Sequence, residues 1–152
     1  MHFTPQQKVL ILAGAILFFL GLVQGGAVQL FHNPRMALSA HLTAVQSGMA
    51  LMIAGVIWSL VLLGGLLAKA ALWATVAGMY GLWVRLTLSA ATGASETLPI
   101  AGQGYAAAPA TEFIVSVLVL GSSGLMTVGW LLLSIGVFRS WCLKPNPGSS
   151  PG

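Results

Sequence analysis

Leu38–Leu63, LSAHLTAVQSGMALMIAGVIWSLVLL, contains no acid, lysine or arginine. A helix rises about 1.5 Å per residue, so about 20 residues cross roughly 30 Å of hydrocarbon, and this run is long enough. Val9–Phe31, Ala70–Thr92 and Phe113–Phe138 pass the same length test. No run alternates with the period of a strand, and a membrane barrel needs at least eight strands of about ten residues. Apolar residues make up 57% of the 152 positions and charged residues 5%, whereas a soluble domain carries about a quarter charged. The sequence therefore predicts an all-α integral membrane four-helix bundle over residues 9–138, with a short N-terminal segment 1–8. Residues 139–152 are expected as a disordered tail, since KPNPGSSPG has nothing to bury.

The connections set neighbours and orientation. His32-Asn33-Pro34-Arg35 and Gly64–Lys69 are short turns, which make antiparallel pairs. The third connection, Gly93–Thr111, is longer, carries two prolines, and ends on Glu112 in the first turn of the last helix, where the helix dipole favours an acid. A loop of that length in so small a protein often covers a site. Lys8, Lys69, Arg139 and Lys144 flank one end of the spans and Arg35 alone the other. The positive-inside rule then puts both termini in the cytoplasm, of the inner membrane in a bacterium, and the long loop outside.

Several classes are excluded. The six basic residues are scattered singly, without the patch that nucleic acid requires. Val9–Phe31 exceeds a signal-peptide core of about 7 to 15 residues and is expected to stay as a helix. It also holds no acid for proton-coupled export, and no internal repeat suggests an inverted-repeat transporter. Cys142 has no second cysteine to pair with and is a bystander or a palmitoylation-type site. Small residues at GxxxG-like spacing, Gly21/Gly25, Ala44/Gly48 and Ala74/Gly78, predict close helix contacts, and Ser116, Ser123, Thr127 and Ser134 predict a weakly polar stripe on the last helix.

Ionisable groups inside spans are costly, about 2.5 to 3.5 kcal/mol for a central arginine on insertion scales, and only His41 and Arg85 stand there. Projection at 100° per residue groups His41 with Ala37, Ala44, Val45, Gly48, Met52 and Gly55, and sets Ser39, Thr43, Gln46 and Ser47 mostly opposite. So small a surface admits another helix or a planar ring system. For His41 alone, an interhelical hydrogen bond and ligation of a metal or haem both remain open. For Arg85 the alternatives are snorkelling, pairing with Glu112, or binding a substrate.

Asn33–Met49, NPRMALSAHLTAVQSGM, resembles the corresponding segment of the hydroxylaminobenzene mutases, and Leu98–Glu112, LPIAGQGYAAAPATE, is similar to that family's loop. More distantly, the AH pair and the following polar-Gly element resemble the styrene oxide isomerases. The resemblance implies a membrane isomerase that moves a hydroxyl from nitrogen to the ring of an aryl hydroxylamine. It implies haem b between subunits of a trimer, with His41 as the metal ligand beside Ala44 and Gly48. Ser47 and Gln46 would then orient a small aromatic substrate, with Arg85, Tyr80 and Trp83 as further contacts. Three positions depart from the family pattern: Ser47 and Arg85 stand where it has asparagines, and Thr43 where it has a glutamate. The alternative is a non-catalytic haem-binding or structural membrane subunit.

Overall fold

The structure, a computed structural model, describes residues 3–143; the first two residues and the tail from Lys144 lie outside it. It consists of α1 (Pro5–Gly26), α2 (Pro34–Ile57), α3 (Gly65–Thr92), the single turn α4 (Pro99–Gly102) and α5 (Pro109–Leu143). Short 3-10 turns at Val28–Leu30 and Trp58–Leu60 follow α1 and α2. No strand occurs among the described residues, and four helices are long and apolar enough to cross a membrane.

Each long helix starts four or five residues before the expected span: Pro5 against Val9, Pro34 against Leu38, Gly65 against Ala70, Pro109 against Phe113. Hydropathy locates the apolar middle, but capping chemistry sets the start. Thr4 and Gln7 form a capping box ahead of α1, and the Asn33 side chain accepts from the Met36 amide, 3.1 Å, ahead of α2. Prolines occupy the first positions of both helices, where a missing N–H costs nothing. Gly93, at φ +82, closes α3 in the left-handed conformation that glycine tolerates best. At its far end α5 continues through Leu143, so Arg139–Leu143, expected in the tail, are helical.

The helices pair as two hairpins, α1 with α2 and α3 with α5, which meet chiefly through α2 and α3. The small-residue spacings account for the pairing. A Cβ at Gly48 would lie 2.6 Å from the Phe18 amide nitrogen, and one at Gly78 2.5 Å from that of Met126, so each contact is backbone against backbone. On α5 the inward stripe is Val115, Ser122, Gly129 and Gly136, spaced by heptads. The expected stripe was one residue further round, and Thr127 and Ser134 point outward. Pro5 and Lys69 share one cavity and the Leu62 amide donates to Gly136, so the start of α1 and the end of α5 lie at the same end of the bundle.

Candidate functional site

The opposite end is closed by the loop between α3 and α5, and the two segments quoted for the resemblance meet there. Asn33, fully buried, caps α2 with Oδ1, donates from Nδ2 to the Ala101 carbonyl at 3.0 Å, and donates its backbone N–H to Ala90 at 2.9 Å. Arg35 donates to the Gln103 carbonyl and stands 6.0 Å from the Tyr105 ring centroid, whose edge also meets His32. Glu112 lies beneath the loop. Its carboxylate accepts from the amides of Ser95 (3.0 and 3.1 Å), Glu96 (3.1 Å) and Ala107 (3.2 Å). The Arg85–Glu112 pair, one of the alternatives for that arginine, is not formed: the acid is consumed by loop amides that have no helical partner of their own.

Below this cap, about 14 to 24 Å along α2 from Pro34, a cavity of about 330 Å³ opens between α2, α3 and α5. Thr43, Gln46 and Ser47 supply its hydrogen-bonding side chains, and Ala50, Met79, Leu82 and Met126 its apolar wall. Ser47 is 6% exposed, whereas Gln46 faces outward. The groove brings together two of the expected catalytic residues; the third, Arg85, follows Leu82 by one turn of α3 and is half-buried.

His41 faces a different neighbour. Its Nδ1 lies 2.7 Å from the Gly21 carbonyl oxygen of α1, and Gly25 packs against the ring. Ala44 and Gly48 are buried against α1 as well. Of the two objects that the small-residue face admits, helix or planar ring, the structure places a helix there. Ala44 and Gly48 consequently have no free surface for a ring, and His41 and Ser47 are not brought to one cavity within a chain.

Tyr80 and Trp83, expected against substrate, spend their polar atoms on α1. The Tyr80 hydroxyl donates to the Ala13 carbonyl at 2.8 Å, and Trp83 Nε1 donates to Gln24 Oε1 at 2.6 Å. Gln24 in turn donates to Thr87 Oγ1 at 3.1 Å. Sequence reasoning missed Gln24. The available signal was an amide inside an apolar span, a group too costly to bury without partners.

Comparison with known proteins identifies the family. A profile of the family described as styrene oxide isomerase matches residues 6–138. The chain belongs to that family. Hydroxylaminobenzene mutase HabA of Ectopseudomonas oleovorans is 34% identical over 134 residues, covering 88% of this chain and 99% of the relative. Hydroxylaminobenzene mutase HabB of the same organism is 34% identical over 145 residues, covering 95% and 85%. No solved structure matches the chain significantly. Both relatives and the family are named for isomerisations, which supports a mutase or isomerase role and a multi-pass membrane protein.

The surroundings of His41 bear on the haem that the resemblance implies there. A carbonyl oxygen only accepts, so in the neutral imidazole the Nδ1 proton points at Gly21 and Nε2 keeps its lone pair. Histidines that ligate metals almost always fix the tautomer by such a bond from the other nitrogen. The donor fits. Among the described residues no cluster of three or more His, Cys, Asp or Glu forms a metal site of another kind.

Proposed function

We propose that this chain is a membrane isomerase that transfers the hydroxyl of an aryl hydroxylamine from nitrogen to a ring carbon, giving an aminophenol. The observation that carries the reading is the groove of Thr43, Gln46 and Ser47 over Met79, Leu82 and Met126. A few polar groups on an otherwise apolar wall suit a flat ring bearing one N–OH group. The reaction balances without a co-reactant: the N–O bond breaks, a C–O bond forms, the ring loses a proton and nitrogen gains one.

Each residue has a role consistent with its position. Ser47, buried and able both to donate and accept, holds the migrating oxygen. Gln46 and Thr43 at the groove mouth orient the nitrogen, and the methionines and Leu82 keep water away. His41, its tautomer set by Gly21, is the residue that would hold a haem b. Bound iron would supply a Lewis acid to weaken the bond to the substrate oxygen. Because His41 and Ser47 face different neighbours, a homo-oligomer, trimeric as the resemblance implies, would place the histidine of one copy near the groove of the next. The capped end faces outward and the termini the cytoplasm, as the flanking charges of Lys8, Lys69 and Arg139 against Arg35 favour.

The test is direct. The protein, purified in an uncharged detergent, is scanned for a Soret band and given hydroxylaminobenzene without reductant. Aminophenol formed at a rate that falls in Ser47→Ala supports the proposal. Unchanged substrate with an intact Soret band supports a haem-binding subunit instead.

A further inference from the structure

Arg85 has a buried Nε with no hydrogen-bond partner. It lies on the stripe of α3 that begins with Gly78 and Gly81, which rest on Met126 and Ser122 of α5. One turn further along, α5 offers Val115–Leu120, VSVLVL, whose one polar side chain is Ser116. The chain has two acids. Glu112 is held by three loop amides, and Glu96 is an exposed loop residue. Snorkelling would carry the whole guanidinium to the interface, but here Nε is packed into the protein, and the Arg85 backbone stands about 10 Å below the end of α3. A guanidinium stays charged in proteins, and no acid among the described residues pairs with this one, so an anion from elsewhere would find it unengaged.

We propose that Arg85 makes the groove selective for aryl substrates bearing an oxyanion, a carboxylate above all, held at the rim one turn above Leu82. This rests on the reading of the groove as the substrate site. The planar fork of an arginine edge matches the two oxygens of a carboxylate, a pairing that asparagine cannot reproduce. The ring would then lie along Leu82, Met79 and Met126, with its N–OH group toward Ser47. A lipid phosphate has the same chemistry and is the competing source.

The experiment titrates full-length protein in uncharged detergent with benzoate and its neutral isostere benzamide, with and without short-chain phosphatidate. Benzoate is expected to bind on the order of 10- to 100-fold more tightly than benzamide. Arg85→Gln should abolish that preference and Arg85→Lys should keep part of it, which guards against simple misfolding. In turnover, Arg85→Gln should raise the KM for a hydroxylaminobenzoate by a larger factor than the KM for hydroxylaminobenzene. Equal binding of benzoate and benzamide, a preference that survives Arg85→Gln, or benzoate that never competes with a tightly held phosphatidate would overturn the proposal. An Arg85-dependent benzoate preference without rearrangement of either hydroxylamine would uphold the anion site and remove the isomerase reading.

Discussion

Gly25→Ala places a methyl group against the imidazole of His41. A Cβ there would stand 2.7 Å from Nδ1 and 2.8 Å from Cε1, whereas ordinary contact begins at 3.4 Å, so the ring must retreat by about 0.7 Å. The edge pushed is the one that bonds to Gly21, and a 2.7 Å hydrogen bond does not survive that displacement unless α1 moves too. Losing the bond costs about 0.5 to 1.5 kcal/mol and overpacking about 1 to 3 kcal/mol, offset by about 0.5 to 1 kcal/mol for replacing a helical glycine. The net expectation is a destabilisation of about 0.5 to 4 kcal/mol. Gly26 supplies the control, because a Cβ there meets nothing within 4 Å. Thermal unfolding in uncharged detergent, followed by tryptophan fluorescence, should show Gly25→Ala melting below wild type and Gly26→Ala at or above it. If the two variants melt together, α1 does not cover His41 as described. Where the purified protein carries haem, Gly25→Ala should also lower its occupancy, since the tautomer-fixing bond is lost.

Gln24→Leu leaves the Trp83 indole N–H without its acceptor and should destabilise the bundle by about 1 kcal/mol, with a shift in tryptophan emission as the readout. Ser47→Ala should slow rearrangement of hydroxylaminobenzene by about 10-fold, the worth of one hydrogen bond to the migrating oxygen, while Ser47→Asn, which installs the residue of the family pattern, should retain the rate. Reporter fusions after Lys69 should read cytoplasmic and those within 103–108 external; the reverse would overturn the orientation. Glu112→Gln turns an amide NH₂ toward backbone donors and should release the 93–108 loop to proteolysis while the long helices stay folded.

Much of the fold was legible because lipid imposes one rule on every span: backbone groups must be satisfied within the segment, so length and apolarity nearly suffice. The antiparallel order followed from short turns, and the small-residue spacings predicted close helix contacts without saying which helices meet; the structure seats Gly21 on Ala44 and Gly25 on His41. The stripe on α5 was misplaced by one residue because serine and threonine drew attention, while the packing selected Gly129 and Gly136, where Thr75, Val61 and Leu63 approach too closely for a side chain. The site was legible as composition and less so as geometry. His41, Gln46, Ser47 and Arg85 stood out as polar groups in apolar runs, and a helical projection separated His41 from Ser47. It could not say whether a helix or a ring filled the small-residue face, because both require the same absence of side chains.

The Arg85–Glu112 alternative is ruled out for a reason that applies to membrane helices generally. It counted charged side chains and left the backbone out. Ser95, Glu96 and Ala107 lie in a loop folded over apolar helix ends, and their N–H groups have no carbonyl from a continuing helix to meet. Glu112 sits in the first turn of α5, a few residues from Ala107 and directly beneath Ser95, so those donors reach it at little cost in chain entropy. Arg85 would have to compete from a turn of α3 that faces the apolar side of α5. A buried carboxylate with two oxygens and three amides converging on it has little capacity left for a guanidinium. In an apolar medium the assignment of an acid therefore begins with the nearest orphaned amides, and a cation left over after that count is the position at which a ligand should be sought.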